Sequence, residues 1–196
     1  MNTGVKVVLA VLCIVGIFCL IFGMIVVGTG NDIVGKRNTV DQSWANVEAA
    51  YQRRLDTIPK FAEVAKFSAQ FQINLTTKYA EARSQISQAA QSNNATQLQQ
   101  VAEEQTHGLM IMIQQEAVPE AKTDQLTELN SGIDSIERVI NHERDAFNQA
   151  VKDYNNAIQM WPGAGLNSML GWNYQPRTGF AAQEGAENSP PINLIP

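Results

Sequence analysis

The sequence has few of the side chains that most often carry chemistry. Among 196 residues there are two cysteines and two histidines. Both cysteines, Cys13 and Cys19, lie in one apolar run near the N-terminus, which leaves the remainder of the chain without a disulfide or a thiolate metal site. Neither His107 nor His142 belongs to a His-Glu-x-x-His zinc motif, and we interpret both as solvated residues on helix surfaces. We therefore expect no metal and no cofactor.

Motifs of nucleotide-binding and hydrolytic enzymes are also missing. There is no glycine-rich phosphate loop with its lysine and no Gly-x-Ser-x-Gly sequence. The 14 basic and 19 acidic residues are spread along the chain, with a net charge of −5, and no cluster of Lys and Arg occurs. Nucleic-acid-binding proteins usually carry such a basic cluster. We predict a protein that is not an enzyme and does not bind nucleic acid.

The most informative feature that is present is an uncharged, apolar run of 21 residues, Val7–Val27. As an α-helix, at roughly 1.5 Å per residue, it would reach about 31 Å, the thickness of a bilayer's hydrocarbon core. The run is longer than the apolar part of a secretory signal, and Val26-Val27-Gly28 is a poor cleavage site. We predict a transmembrane helix over residues 7–27 that contacts the lipid bilayer, preceded by a short flank over residues 1–6. The alternative is a buried helix of a soluble protein.

The orientation of this helix in the membrane stays open. Lys6 and the amino terminus lie on one side of the run, and Lys36 and Arg37 lie on the other. Lys and Arg are usually in excess on the cytoplasmic side. The count slightly favours a cytoplasmic C-terminal domain, but the two sides nearly balance.

The region after the run predicts a flexible linker followed by helices. Gly28, Gly30 and Gly35 indicate a juxtamembrane linker over residues 28–36. From there, apolar residues recur at steps of three and four, as in amphipathic helices, over residues 38–91. Pro59 interrupts this segment without changing the phase of the pattern, which predicts a kink rather than an end.

Two further helices follow a polar turn at Gln91–Asn94. The second starts at Asn94 or Thr96, either of which can act as N-cap, and extends towards Pro119, where we predict a break or kink. The third has a nearly heptad-like pattern over residues 126–158 and ends before Pro162-Gly163. No alternating strand pattern occurs.

These elements predict an all-α protein. The N-terminal transmembrane helix is followed by an antiparallel up-and-down bundle of three to four long kinked helices over residues 37–162. Residues 163–196, rich in Gly, Pro and isolated aromatic residues, read as an irregular, extended tail. We expect the tail either to dock through Trp172, Tyr174 and Phe180 or to stay mobile.

Two groups of residues in the bundle are candidate interaction sites. Arg53, Arg54 and Asp56 are the densest charged cluster on the first bundle helix and could bind a charged partner or a ligand carboxylate. The alternative is ion pairing between helices, with an acid such as Glu137 or Glu143 as the partner.

The second candidate is the run Leu109-Met110-Ile111-Met112-Ile113, which covers a helix on all sides with apolar side chains. Burial in the core explains it somewhat better than contact with another copy of the protein. A surface that contains methionine would nevertheless suit self-association.

Two blocks of residues resemble the LemA family, and together they extend over nearly the whole chain. The first block contains Asn31, Ile33-Val34, Arg37-Asn38, Val40, Trp44, Val47-Glu48 and Arg53-Arg54-x-Asp56-x-Ile58-Pro59. The second contains Glu137, Ile140, Arg144, Phe147-Asn148, Val151, Tyr154-Asn155, Ile158 and Trp161-Pro162. The chain departs from the family pattern at Gly30, Ser43 and Lys60-Phe61, and its tail lacks a compact aromatic ending. The resemblance implies a single-pass bacterial membrane protein with an all-helical bundle and no known catalytic activity or cofactor.

We therefore predict a membrane-anchored, non-enzymatic scaffold or interaction protein of the bacterial cell envelope. It would self-associate through its helical bundle into a homo-oligomer or present the bundle to another envelope protein. The alternative function is a membrane-tethered sensor or signalling input module. This hypothesis predicts a pocket near Pro59, with Arg53 or Arg54 pointing inward to bind a ligand or partner.

Overall fold

The computed structural model describes residues 3–64, 67–116 and 123–181, without the side chains of residues 61–64 and 123–130. These three stretches contain five helices and no strand, which confirms the all-α prediction. The helices are α1 (Thr3–Val64), α2 (Ala69–Gln91), α3 (Ala95–Glu116), α4 (Thr123–Gln159) and α5 (Gly163–Leu170).

Helix α1 contains the apolar run and is long and apolar enough to span a membrane. None of the 18 residues in its most apolar stretch is buried by the rest of the chain. Phe18, for example, is 72% exposed. In the core helix of a soluble protein these side chains would be covered, so their exposure favours the lipid-spanning interpretation over the buried one.

The structure corrects the prediction of a flexible linker over residues 28–36. Helix α1 continues through this segment without interruption. A glycine inside a helix costs only about 1 kcal/mol relative to alanine, and helical segments on both sides remove the need for a new nucleus. Ile33, within the segment, is fully buried and helps to hold the backbone in place.

The first bundle helix is also shorter than predicted. Pro59 lies inside α1, but the helix ends at Val64 rather than near residue 91. Phe67 and Ser68 are not helical, and α2 begins at Ala69. The Ser68 hydroxyl accepts a hydrogen bond from the backbone N–H of Phe71 at 3.2 Å, which is the geometry of an N-cap. Because of this cap, a new helix starts at Ala69, although the apolar pattern of the sequence continues across this position.

The polar turn between the second and third helices is where the sequence predicts it. Asn93 has a positive φ of 51°, and α3 begins at Ala95. The side-chain oxygen of Asn94 accepts a hydrogen bond from the backbone N–H of Gln97 at 3.1 Å, so Asn94 rather than Thr96 is the cap. The predicted break at Pro119 lies outside the described residues.

The chain divides into two compact units, of which the first contains Met1–Asp41 and Ala150–Arg177. The buried residues of this unit come from α1, from the end of α4 and from α5. They include Ile33, Val40, Tyr154, Ile158 and Leu166. The presence of α5 corrects the prediction that residues from 163 onward are irregular and extended. That description fits only residues 172–181 of the described tail.

The second unit contains Gln42–Gln149 and Thr178–Pro196. Within it, Trp44 contacts Phe147 while Arg54 contacts Glu137, so α1 and α4 run antiparallel. The indole N–H of Trp44 also donates a hydrogen bond to the backbone carbonyl of Ala90, and Asp56 accepts one from the hydroxyl of Tyr79. A later position in α1 thus contacts an earlier position in α2, so these two helices are antiparallel as well. The predicted up-and-down helical bundle is therefore present in this unit.

Candidate functional site

Arg54 is one of two buried polar or charged residues among those described, the other being Thr106. All three nitrogens of its guanidinium donate hydrogen bonds. Nε donates to Oγ1 of Thr106 at 3.2 Å, and Nη2 donates to the backbone oxygen of Ala102 at 3.3 Å. Nη1 donates to Oε2 of Glu137 at 2.7 Å. A single α1 side chain thus binds both α3 and α4, and Glu137 is the ion-pair partner among the two acids that the sequence suggests.

Tyr51 lies one helical turn before Arg54 and is 1% exposed. The Cζ atom of Arg54 is 5.9 Å from the centre of the Tyr51 ring, within the range of a cation–π contact. The Tyr51 hydroxyl has no hydrogen-bond partner among the described residues. Burial raises the pKa of Tyr51 to about 12, although the positive charges of Arg144 and Arg54 act in the opposite direction.

Asp56 makes a different connection from the same helix. It is half-buried and accepts hydrogen bonds from the hydroxyl of Tyr79 and from Nη1 of Arg83, the latter at 3.0 Å. Arg83 also donates to the Tyr79 hydroxyl at 2.8 Å. Burial raises the pKa of Tyr79, and its bond to Asp56 acts in the same direction. This triad joins α1 to α2 at the edge of the bundle.

The structure therefore separates the three members of the predicted charged cluster. Arg54 lies in the core, Asp56 contacts α2, and Arg53 is exposed. These three residues do not converge on one point from which a ligand could be bound. For Arg54 and Asp56, the contacts favour the interpretation that the cluster joins helices.

The apolar run of α3 is mostly core. Leu109, Met110 and Ile113 are buried, and Met112 is half-buried. Ile111, which is 38% exposed, is the most accessible residue of the run. Most of the run therefore packs in the core. Only Ile111 and part of Met112 have exposed surface that could contact a partner.

Phe180 shows that the C-terminal segment docks by an aromatic residue, one of the two alternatives that the sequence leaves open. It is 6% exposed and packs against Trp44 and Phe147, with ring centres 5.9 and 5.4 Å away. The Arg144 guanidinium lies 5.1 Å from the centre of its ring. The Asn148 side chain holds the backbone of Phe180. It accepts a hydrogen bond from the Phe180 N–H at 2.8 Å and donates one to the Phe180 carbonyl at 3.2 Å.

The other two aromatic candidates lie in the first unit. The ring of Trp172 packs over Gly30, with its Cη2 atom 3.5 Å from where a Cβ would be. Trp172 and Tyr174 meet edge to face at 5.8 Å between ring centres. Asn167 fixes the backbone of Tyr174 through hydrogen bonds to its N–H and its carbonyl. Both aromatic side chains remain half-exposed.

The asparagines that hold this segment in place are not among the candidate residues predicted from the sequence. Within the first unit, Asn155 accepts from the N–H of Arg177 and donates to its carbonyl, both at 2.9 Å. Arg177 also forms an ion pair with Asp41 at 3.5 Å. The signal available was the repeat of an aromatic residue followed by asparagine, at Phe147-Asn148 and Tyr154-Asn155. Such a repeat predicts two amides on one helix face, but it does not identify what they bind.

Among the residues that the structure describes, no three His, Cys, Asp or Glu side chains are grouped so that they could hold a metal ion. His107 and His142 are both exposed. The polar groups that do come together, around Arg54, Asp56 and Asn148, are bound to one another or to the backbone.

The comparison with known protein families assigns the chain to one of them. The family model described as the LemA family matches residues 43–194. No curated protein and no solved structure matches the chain. Because the matched region covers well over half of the sequence and includes α2 to α5, the chain belongs to the LemA family.

Proposed function

We propose that this protein is a membrane-anchored, non-enzymatic scaffold of the bacterial cell envelope that self-associates through its helical bundle. The LemA family is not a known enzyme family. The anchor in this proposal is residues 7–27 of α1, most of whose apolar side chains are exposed. The bundle attached to it would present its helices to a second copy or to another envelope protein.

The observation that carries this proposal is that the buried Arg54 side chain joins helices of the bundle. A buried guanidinium is a frequent means of binding an anionic ligand. Here its three nitrogens bind acceptors on α3 and α4, so the charge connects helices of the bundle. A residue used in this way supports a rigid body whose outer surface, rather than an internal site, meets the partner.

The same contacts weigh against the sensor alternative. That hypothesis requires Arg53 or Arg54 to point inward, and Arg54 does. However, the inward arginine is bound by Glu137, Thr106 and Ala102, and Arg53 is exposed. A ligand at this point would have to displace an existing ion pair before it could bind.

For self-association we propose the accessible part of the apolar run on α3, namely Ile111 and the half-buried Met112. Anchoring confines the copies to one surface and raises their effective concentration, so a small apolar contact contributes more to assembly there than it would in solution. The sidedness that we propose, with the bundle in the cytoplasm, rests on the charges that flank the run.

The test is chemical crosslinking of the full chain in its native membranes, combined with native mass spectrometry in detergent. We expect dimers or larger assemblies, and we expect Ile111→Glu to reduce them. Gln115→Glu is the matched control, because it adds the same charge one turn further along α3 at a residue that is already polar and exposed. Monomers alone in both measurements would refute self-association.

A further inference from the structure

The segment Met160–Leu170, at the end of the first unit, exposes apolar side chains to an unusual degree. Among the described residues after Val27, eight large hydrophobic side chains are exposed, and four of them lie in this segment. They are Met160 at 62%, Trp161 at 82%, Met169 at 60% and Leu170 at 43%. The remaining four, Val34, Ile73, Ile111 and Val139, are scattered over α1 to α4. We call residues 160–170 the apolar tip.

The apolar tip also lacks charge. No Asp, Glu, Lys, Arg or His occurs from Tyr154 to Pro176. Burial of an ion in a region of low polarity is costly, whereas an uncharged segment can enter such a region without that cost. Tryptophan is moreover enriched where proteins meet the interface between lipid and water. The composition thus suits contact with a lipid surface.

The position of the apolar tip relative to residues 7–27 also supports contact with a lipid surface. Leu170 and Met169 directly precede Gly171 and Trp172, and the Trp172 ring packs over Gly30. Gly30 lies three residues beyond Val27, which is about 4.5 Å along a helix. The headgroup region on each side of the hydrocarbon core is about 5–8 Å thick. If residues 7–27 span the core, the contact between Gly30 and Trp172 lies at headgroup depth.

The tip has a defined conformation in which these residues face outward. Gly163 packs so closely that a Cβ would lie 1.8 Å from the carbonyl oxygen of Ala157, and Leu166 is buried. The backbone N–H of Trp172 donates to the carbonyl of Asn167, and Gly171 adopts the left-handed conformation that ends α5. Leu166 is turned inward, whereas Met169 and Leu170, in the last turn of α5, stay 60% and 43% exposed.

We infer that the apolar tip is a second lipid contact of this protein, seated in the headgroup layer of the same bilayer that holds residues 7–27. The inference rests on the anchor of the proposed function. Its occupant is the lipid surface, and binding needs no particular headgroup, because the contact is apolar and uncharged. The first unit would then be held at the membrane by two elements rather than by a single helix.

The test uses a fluorescent label in the full chain, reconstituted into phosphatidylcholine vesicles. In a background with Cys13→Ala and Cys19→Ala, Ser168→Cys places an environment-sensitive label on the exposed part of α5 and leaves all four apolar residues intact. Lys152→Cys, on an exposed position of α4 in the same unit, is the matched control. Nitroxide-labelled lipids should quench the label at position 168 and not the label at position 152. In vesicles without nitroxide, the emission of the label at position 168 should lie to the blue of that at position 152, because its surroundings are less polar.

The outcomes separate this inference from the anchor itself. A chain that floats with the vesicles but shows no quenching at position 168 overturns the lipid contact and leaves the anchor intact. A chain that does not float with the vesicles would contradict both the anchor and the lipid contact of the tip. Shielding of position 168 from aqueous iodide without lipid quenching would mean that this chain or a second copy covers the tip, and it would also overturn the inference.

A second variant tests whether the apolar side chains are the cause. Trp161→Ser combined with Leu170→Ser, in the labelled Ser168→Cys chain, should abolish the lipid quenching while the helical circular dichroism stays unchanged. Quenching that persists at full strength in this variant would contradict an apolar contact.

Discussion

Arg54 and Glu137, 83 residues apart in the sequence, are joined by a hydrogen bond of 2.7 Å between Nη1 and Oε2. The two ends of this ion pair lie in different environments. The Arg54 side chain is 8% exposed, while the Glu137 side chain is 41% exposed. The carboxylate can therefore be hydrated when its partner is lost, but the guanidinium cannot.

This asymmetry predicts unequal effects of the two single substitutions. Glu137→Ala leaves a buried cation without its counter-charge, and arginine does not deprotonate in proteins, so we expect a loss of about 3 kcal/mol in the free energy of unfolding. Arg54→Met removes the cation, fills a similar volume and leaves a carboxylate that water can reach, and we expect a loss of about 1 kcal/mol. Denaturant unfolding of the full chain in detergent micelles measures both.

The exposed neighbour Arg53 supplies the control. Arg53→Met should change the free energy of unfolding by less than about 0.5 kcal/mol, as is usual for a surface position. The Arg54→Met/Glu137→Ala double variant should be little less stable than Arg54→Met alone. Equal losses from Arg54→Met and Glu137→Ala would contradict this description of the pair.

Tyr51 predicts an alkaline dependence of stability. Its pKa is raised from 10.0 in the unfolded chain to about 12 in the fold. The native state therefore holds the proton more tightly, and this contribution is complete below pH 10 and is lost as the pH rises through the folded value. At about 1.4 kcal/mol per unit, the free energy of unfolding should fall by roughly 2–3 kcal/mol over that interval.

Tyr51→Phe should remove this part of the alkaline slope. At neutral pH the same substitution should be neutral or stabilising by about 1 kcal/mol, because the buried hydroxyl has no partner among the described residues. Unfolding curves at a series of pH values test both statements. A Tyr51→Phe variant with an unchanged slope would show that this phenol is not the group responsible.

Gly179 tests the docking of the C-terminal segment. A Cβ at this position would lie 2.5 Å from Oδ1 of Asn148, the same atom that accepts from the Phe180 N–H. Gly179→Ala should therefore displace the Asn148 amide and release Phe180. We expect faster chymotryptic cleavage after Phe180, by about tenfold if the docking loses roughly 1.4 kcal/mol. Gln175→Ala, at an exposed side chain of the same segment, should leave the cleavage rate unchanged.

The continuity of α1 predicts the effect of removing two glycines. A Cβ at Gly28 or Gly35 would meet nothing within 4 Å. If this segment is helical, Gly28→Ala and Gly35→Ala should each stabilise it by about 0.5–1 kcal/mol, and amide hydrogen exchange over residues 28–36 should slow. Exchange at the rate of an unstructured linker, before and after the substitutions, would be incompatible with a continuous helix.

Much of the fold could be predicted from local patterns in the sequence. The apolar run, the antiparallel bundle and the turn at Asn94 follow from hydrophobic periodicity and capping. The sequence also suggests acids such as Glu137 or Glu143 as partners of the charged cluster that contains Arg54. Hydrophobic periodicity does not set the register between helices, and for that reason the sequence could not decide between Glu137 and Glu143.

The features that were missed depend on single residues or on distant contacts. The break before α2 depends on the cap formed by Ser68, while the apolar pattern continues in phase across it. Helix α5 contains two glycines in eight residues and has weak intrinsic helix propensity. It is packed through Gly163, at a distance from Ala157 that no other residue allows. The docking of Phe180 requires rings of α1 and α4 that only the folded bundle assembles.

The membrane anchor is the claim on which the proposed function and the lipid contact of the apolar tip both depend. Alkaline carbonate extraction of bacterial membranes that contain the full chain tests it most directly. We predict that the intact chain stays with the sedimented membranes, because a helix with about 30 Å of apolar length is held in the bilayer independently of protein contacts. Release of the intact chain into the supernatant would contradict the account.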